Sequence, residues 1–217
     1  MNQILYQCNF DKNNSKHVKN KLLIIILFAI FLIIIAFCIY FFTKYELSQN
    51  EKISKNLVSN FNIMTLYSNS IDNYSATKVT TEEDSKSFVI GLIQIDEIGL
   101  TYPILSSTSE ELLKISPCRF YGPMPNEIGN LCIAGHNYVN DTHFGKIHYL
   151  KVGDNVKIFD LSGNFIEYII YDKNEIRADD LSCTNQETNG LREITLITCN
   201  NIKGNRVCIK AKEKGDW

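Results

Sequence analysis

The chain has 217 residues, a formal net charge of −2 and seven cysteines, and 45% of its residues are hydrophobic. The nearly balanced charge argues against a nucleic-acid binder held by a basic surface, and the cysteine content is far below that of a disulfide scaffold. The length allows one or two domains, which excludes a large multidomain enzyme.

The first predicted element is a transmembrane helix. An unbroken run of 21 hydrophobic residues covers positions 22–42. As a helix this run would be about 31 Å long, which matches a hydrocarbon core of ~30 Å. The apolar region of a cleaved signal peptide is shorter and ends at small residues, whereas this run ends in aromatic residues. The sequence therefore predicts an uncleaved, single-pass anchor.

The charges on either side of this run predict its direction. Residues 1–21 contain four basic and one acidic residue (+3), and residues 43–217 contain 18 basic and 23 acidic residues (−5). Because positive residues favour the cytoplasmic side of a membrane, we expect residues 1–21 to form a cytoplasmic tail. The rest of the chain is then extracellular.

Residues 43–87 are polar and are predicted to form an extracellular stalk. Ile53, Leu57, Phe61 and Met64 recur at helical spacing, which favours a short amphipathic helix. Residues 68–87 have no sustained period and are interpreted as a linker. The simplest interpretation is that the whole segment only sets a distance from the membrane.

Residues 88–217 are predicted to be an all-β domain, because short strand-like runs alternate with turn signals from residue 88 to about residue 212. Turns are expected at Gly153 and Gly163, and a short helix is expected to begin at Ser109. A segment of this length suits one closed β barrel or sandwich. The predicted strands cover residues 88–95, 100–105, 131–134, 156–159, 165–171, 194–198 and 207–211.

Three residues at predicted strand ends could carry out chemistry together. His136 follows one strand, Cys199 ends another, and Arg206 opens the last strand. A thiolate can attack an acyl carbonyl, an imidazole can transfer protons, and a guanidinium can stabilise an oxyanion. A buried structural cysteine is the ordinary alternative for such a position. Phosphate-binding glycine loops, H-E-x-x-H and C-x-x-C motifs are absent from the sequence.

The same residues lie in motifs that resemble those of sortases, the cysteine transpeptidases that attach proteins to the Gram-positive cell wall. Residues 195–199, Thr-Leu-Ile-Thr-Cys, resemble the family's TLxTC signature. Residues 129–136 resemble the segment that carries its catalytic histidine, and residues 91–104 resemble its first barrel strands. Arg206 stands where the family places its arginine. The resemblance extends over about 125 residues in the right order.

The resemblance implies a closed sortase-type barrel of about eight strands with one or two short helices, preceded by the single transmembrane helix. It implies that Cys199 attacks the Thr–Gly or Thr–Ala bond of an LPxTG-like sorting signal and forms a thioacyl enzyme. His136 would act as acid and base, and Arg206 would orient the substrate and stabilise the oxyanion. Thr198, beside the nucleophile, is a further candidate for an oxyanion contact.

The resemblance also implies the partners: surface proteins that carry sorting signals, membrane lipid, and an amine of a lipid II-type peptidoglycan precursor or of a pilin lysine. No nucleic acid or cofactor is expected. No metal is expected either, because the sequence lacks an acidic cluster of the kind that forms a calcium site. An N-terminal anchor without a C-terminal one argues against the usual pilin-polymerising class. The Ala-Gly-His-Asn context is most similar to class D, with class B second.

Two features depart from the family pattern. Asn137 follows the histidine where related class C and D enzymes often carry arginine, and only six residues separate Cys199 from Arg206. The substrate groove is therefore expected to differ on that side. His143 and His148 remain alternative bases. Three other arginines are more typical of solvated or ion-paired surface residues: Arg119, Arg177 and Arg192.

Two other functions remain open at this stage: a secreted Cys-His peptidase that cleaves cell-wall peptides, and a non-enzymatic β domain that binds wall polymers. The remaining extracellular cysteines are expected to be buried thiols rather than two disulfides, because strand interiors favour small hydrophobic side chains. These cysteines are Cys118, Cys132, Cys183 and Cys208.

Overall fold

The computed structural model describes residues 2–67, 78–79, 87–200 and 204–215, with side chains described for 21, 23–62, 87–200 and 204–215. The chain divides into two compact units, Met1–Ser48 and Gln49–Trp217. Helix α1 (Asn2–Tyr67) contributes to both units. Most of the predicted linker, and the charged side chains of residues 2–20, lie outside the described residues.

The first unit consists of the N-terminal part of α1 and contains the apolar run. Among the described residues, this is the one helix long and apolar enough to cross a membrane. Its hydrophobic side chains are exposed to the surroundings along the run, for example Ile33 at 67% and Phe42 at 68%. A helix that is apolar all round needs an apolar environment, which agrees with the predicted anchor. The sequence analysis predicted a helix over residues 22–42. In the structure α1 continues past residue 42 to Tyr67.

The second unit contains the end of α1, helix α2 (Glu110–Ile115) and the β strands. Ser109 caps α2, because its side chain accepts a hydrogen bond from the backbone N–H of Leu112. Short 3₁₀ helices lie at Asp96–Ile98, Ile147–Tyr149 and Ser182–Thr184. The strands are β1 (Lys78–Val79), β2 (Ser87–Ile95), β3 (Leu100–Leu105), β4 (Cys118–Tyr121), β5 (Gly129–Ala134), β6 (Asn155–Phe159), β7 (Phe165–Ile176), β8 (Arg192–Cys199) and β9 (Arg206–Glu213).

Strands β2 to β9 close into an eight-stranded barrel. Their order is β2-β3-β4-β5-β8-β9-β7-β6, and β6 pairs with β2 to complete the circle. The pairs β3–β4 and β5–β8 are parallel, and the other pairs are antiparallel. Closure removes the exposed sheet edges that favour aggregation. The predicted closed barrel is confirmed, and the sandwich alternative is wrong.

The barrel interior is the main hydrophobic core, to which alternate residues of the strands contribute. On β8, Ile194 and Leu196 face this core, whereas Ile197 packs on the outer face of the barrel with buried cysteines. Strand β2 differs because both of its faces are buried: Ile93 and Ile95 point inward, and Leu92 packs outside against helices. This two-sided burial explains the nearly continuous apolar run of the strand.

The seven predicted strands all exist, with ends that differ by a few residues, and the turns at Gly153 and Gly163 are confirmed by their positive φ values of 99° and 81°. The sequence analysis missed two strands. Strand β4 is short, and its register with β5 shifts between Arg119 and Tyr121, so no clean alternation marks it. Strand β1 has only two residues, within the predicted linker.

The interpretation of residues 43–87 as a simple stalk is incomplete, because the end of α1 packs on the barrel. Leu57 and Phe61 are 7% and 5% exposed and belong to a cluster with α2 and the outer face of β2. The predicted helical spacing is thus confirmed for these two residues, but the helix contributes to the fold. Ile53 is 42% exposed, and the Met64 side chain is outside the described set.

The barrel cysteines other than Cys199 are buried thiols, and the structure leaves each of them unbridged. Cys132, Cys183 and Cys208 pack together around Ile197, and Cys118 lies in the cluster beneath the helices. Burial raises the pKa of Cys118 and of Cys132 to about 12, and burial also raises the pKa of Cys208.

Candidate active site

Parallel strands β5 and β8 bring the candidate base and nucleophile together. Ala134 on β5 is the register partner of Ile197 on β8. His136 and Cys199 each follow two residues later. Side chains two positions apart in a strand share a face, and neighbouring strands lie ~4.8 Å apart. The backbone N–H of Gly135 donates to the Ile197 carbonyl at 3.0 Å, so the pairing extends past the end of β5. His136 and Cys199 therefore stand side by side at the strand ends.

Strand β9 adds the arginine from the other side of β8. Cys199 and Arg206 are direct partners in the antiparallel β8–β9 register, a position in which Cβ atoms are ~4.5–5.5 Å apart. Arg206 is half-buried and Cys199 is exposed. Arg206 is thus the direct cross-strand neighbour of Cys199, and its guanidinium can reach the side of the sulfur, where negative charge develops when the thiol ionises or attacks a carbonyl.

The three side chains line one cavity of about 170 Å³. Apart from these three candidates, the lining comes from several elements and is mostly apolar. An acyl chain that enters along the apolar wall would reach the Cys199 sulfur with Arg206 and His136 on either side. The remaining lining residues are Thr108, Leu113, Phe120, Ala134, Gly135, Ile197 and Thr198.

Three neighbouring residues hold the two strand ends in place. The Thr198 hydroxyl donates to the Gly135 carbonyl at 2.7 Å, and Asn137 Nδ2 donates to the Cys199 carbonyl at 2.7 Å. Gly135 must lack a side chain, because a Cβ there would lie 2.7 Å from the buried Phe144 ring. The Ala-Gly-His segment therefore fits closely between the barrel and the loop that follows.

The electrostatic environment of His136 favours its neutral form. Burial is the main effect, and it lowers the pKa of His136. Two charges on helix α2 have smaller effects: Glu110 raises this pKa, and Lys114 lowers it. An imidazole that is neutral at neutral pH can accept a proton, and a nearby thiol can supply one. The arrangement combines a thiol, an imidazole and a guanidinium within one cavity.

A family model described as the sortase domain matches residues 93–214, which is more than half of the chain. The chain belongs to the sortase family. A curated relative named Sortase A from Bacillus anthracis is 32% identical over 136 residues, which cover 62% of this chain. The match spans 63% of that relative, slightly under two thirds of its length.

Solved sortase structures agree with this membership. A Clostridium perfringens Sortase D5 transpeptidase is 28% identical, with a TM-score of 0.57 over 77% of this chain and 99% of that one. A Clostridium perfringens sortase C, described with the C-terminal cell wall sorting motif, is 20% identical, with a TM-score of 0.53 over 76% of this chain and 90% of that one. At 20% identity the second similarity concerns the fold alone.

In this sortase the alternative bases lie elsewhere. His143 is 1% exposed, and burial holds its pKa at about 4, so it does not reach substrate. His148 lines a separate cavity of about 590 Å³ with Asn137 and Asn200. Of these three histidines, His136 is the one that lines the cavity of Cys199.

The three other arginines have structural partners, and two of them form ion pairs of the kind that the sequence analysis expected. Arg192 forms an ion pair with Glu213 at 2.9 Å, and Arg177 pairs with Asp179 at 2.8 Å. Arg119 Nε donates to the Gly122 carbonyl at 2.9 Å. None of these three lines the cavity that contains Cys199.

The structure changes the interpretation of Thr198. The single proton of its hydroxyl is donated to the Gly135 carbonyl, so this group is not free to donate to an oxyanion. Thr198 instead fixes the spacing of the strands that carry His136 and Cys199.

Several cavity residues were missed because they lie far from the motifs in the chain. Thr108 and Leu113 belong to the region around α2, and Phe120 lies on β4. The capping serine before α2 was a signal for the helix but not for its position beside the site. Asn137 was noted only as a departure from the family pattern, and its bond to the Cys199 carbonyl could not be predicted. Residues 201–203 of the connection to Arg206 lie outside the described residues.

No metal centre is evident among the residues that the structure describes. In that part of the chain, no group of three or more histidine, cysteine or acidic side chains is placed to hold an ion.

Proposed function

We propose that this sortase is a membrane-anchored cysteine transpeptidase that cleaves an LPxTG-like sorting signal after its threonine. The observation that carries the proposal is the convergence of Cys199, His136 and Arg206 on one cavity in a chain that belongs to the sortase family. The apolar wall of the cavity suits the leucine and proline of such a signal.

In the first half of the reaction the Cys199 sulfur attacks the threonine carbonyl. The carbonyl oxygen becomes an oxyanion, and Arg206 lies beside the sulfur to stabilise that charge. His136, having taken the thiol proton, returns a proton to the amine that leaves when the C–N bond breaks. The product of this step is a thioester between the signal and Cys199.

In the second half an amine attacks the thioester. His136 accepts a proton from the incoming amine, an amide bond forms, and the Cys199 thiol is released. We infer that the acceptor is an amine of a lipid II-type cell-wall precursor. The exposure of Cys199 allows both substrates to approach the sulfur.

The location follows from the helix and from charge. The apolar part of α1 would cross the membrane once, residues 1–21 with their net charge of +3 would remain inside, and the domain formed by residues 88–217 would act outside the cell. We assign the enzyme to class D, because the class D5 structure is 28% identical over nearly its whole length. Class B remains second.

The decisive experiment supplies full-length protein, in detergent micelles, with a library of LPxTx peptides and an amine acceptor, and identifies products by mass spectrometry. We expect amide products, a thioacyl adduct on Cys199, and loss of both in Cys199→Ala. The matched control is Cys183→Ala, which removes a buried thiol of the same barrel and should retain turnover.

The other possible outcomes separate the alternatives. Carboxylic acid as the sole product, even at high amine concentration, would identify a peptidase. Unchanged turnover in Cys199→Ala would remove this residue as the nucleophile. Absence of any peptide cleavage together with binding to wall polymers would identify a non-enzymatic domain.

A further inference from the structure

A stack of aromatic rings connects the catalytic histidine to helix α1. The ring centroids of His136 and Tyr138 are 5.0 Å apart, and those of Tyr138 and His143 are 5.2 Å apart. His143 then packs edge-on against Tyr102, with centroids 5.1 Å apart. The Tyr102 hydroxyl donates to the two carboxylate oxygens of Glu51 at 3.0 and 3.2 Å. Glu51 and His136 are 85 residues apart in the chain and become linked through four rings.

The His143 and Tyr102 rings are buried and have little freedom, whereas the His136 and Tyr138 rings are half-buried. His143 is 1% exposed and Tyr102 is 8% exposed. His143 holds a positive φ of 51°, which non-glycine residues seldom adopt, and an isolated β-bridge joins it to Asn137. A backbone conformation of this kind persists only where surrounding contacts fix it. The loop after β5 is therefore shaped to place the His143 ring between two tyrosines.

The charges along the stack are arranged so that one imidazole can become cationic. Burial and the nearby His136 lower the pKa of His143 to about 4, so His143 is neutral at neutral pH. The other groups around His136 are Glu110 and Lys114 on α2, with Cys199 and Arg206 across the cavity. The Tyr138 ring packs directly against the His136 imidazole, at an interplanar angle of 47°.

We propose that Tyr138 is a positioning residue for catalysis: its ring orients the His136 imidazole and stabilises the imidazolium, while His143, Tyr102 and Glu51 hold Tyr138 in place. A cation within ~6 Å of an aromatic ring is attracted by the ring's quadrupole, and the attraction is larger where water is excluded. The inference rests on the proposed role of His136, and it makes the anchor-bearing helix part of the support of the active site.

A purely structural role for Tyr138 makes a different prediction. If the side chain only filled space, a large aliphatic residue would replace it with little effect on the protonation of His136. If the hydroxyl were the important group, removal of the oxygen alone would be harmful. The proposed role requires the ring, not the hydroxyl.

The test compares Tyr138→Leu with Tyr138→Phe in full-length protein in detergent micelles. Amide formation is measured against pH, and the protonation of His136 is followed separately by NMR with ¹³C-labelled histidine, which is feasible because the chain has four histidines. We expect Tyr138→Leu to lower kcat roughly tenfold with KM changed less than twofold, and to shift the His136 titration to lower pH. Tyr138→Phe should retain most of the rate and the original titration.

The same readouts can overturn the proposal. An unchanged His136 titration in Tyr138→Leu, or an equal loss in Tyr138→Phe and Tyr138→Leu, would remove the ring from the mechanism. If the unmodified protein formed no amide at all, the proposed function would fail, but the NMR titration would still decide whether Tyr138 acts on His136.

The connection to α1 has its own comparison. Glu51→Ala removes the acceptor of the Tyr102 hydroxyl, whereas Lys52→Ala changes an exposed neighbour on the same helix. We expect Glu51→Ala to lower kcat about threefold and to shift the His136 titration in the direction seen for Tyr138→Leu, and Lys52→Ala to change neither. An unchanged titration in Glu51→Ala would exclude the helix from the support of the histidine.

Discussion

Replacement of Phe61 by alanine tests whether the end of α1 is an integral part of the catalytic unit. Phe61 is 5% exposed, and it packs in one cluster with Leu57 on the same helix and with Leu112 and Ile115 of α2. A simple stalk would not bury an aromatic ring in this way. Because the cluster also contains the outer face of β2, loss of the ring should destabilise the barrel as well as the helix.

The magnitude follows from the burial of the ring. Phe→Ala in a core costs ~3–5 kcal/mol, which includes the cavity that remains. The cluster lies outside the barrel, where the helix can shift towards the cavity, so we expect the lower end, about 3 kcal/mol. With a urea m-value of ~2 kcal/mol/M, the unfolding midpoint should fall by roughly 1.5 M.

The measurement is urea unfolding of the full chain in detergent micelles, followed by near-ultraviolet circular dichroism, to which buried tyrosines such as Tyr168 (1% exposed) contribute. The matched control is Ile53→Ala on the same helix, because Ile53 is 42% exposed. This control should change the free energy of unfolding by no more than about 0.5 kcal/mol. Equal midpoints for Phe61→Ala and Ile53→Ala would refute the docking of the helix and restore the stalk interpretation.

Three further predictions concern the site and its thiols. Arg206→Lys keeps the charge but loses the planar fork, so we expect kcat for amide formation to fall ~10²–10³-fold; near-normal turnover would mean that another donor stabilises the oxyanion. Burial lowers the pKa of His143 from 6.5 to about 4 in the folded protein. As the pH drops from 6.5 to 4, this histidine becomes protonated in the unfolded chain before it does in the folded one, so the free energy of unfolding should fall by roughly 3 kcal/mol. His143→Asn, which tolerates the positive φ, should flatten that part of the curve of unfolding free energy against pH, and an unaltered slope would assign the loss to other groups. Finally, denatured, unreduced protein should contain seven free thiols per chain by reagent titration, and a count of three would mean that two disulfides are present.

The sequence predicts His136, Cys199 and Arg206 as site residues because each stands at the end of a predicted strand, and the structure places all three at one cavity. Cys199 ends one largely apolar run, and His136 follows another. The pairing of these two strands could not be predicted, since β5 and β8 are joined in parallel although Cys199 and His136 are 63 residues apart. A periodic pattern shows which face of a strand is buried, but it does not identify the neighbouring strand.

Contacts that cross between elements were missed for the same reason. The spacing of Leu57 and Phe61 predicts an amphipathic helix but names no partner for its apolar face. Strand β2 did carry a signal: residues 88–95 are nearly all apolar, and such a run is typical of a strand that is covered on both sides. The two patterns together would have predicted a helix on the outer face of β2, because each supplies the apolar surface that the other needs.

Burial also explains why one cysteine can serve as the nucleophile in a barrel that contains five. Only the thiolate attacks a carbonyl, and burial raises the pKa of Cys118 and of Cys132 to about 12. Cys208 lies on the same outer face as Arg206, two residues away, yet it is 4% exposed beneath the Cys183 segment. Cys199 is the exposed thiol of the described barrel and stands beside a cation. The selection of the nucleophile therefore depends on where each strand emerges from the packed core, and it does not require the other cysteines to be absent.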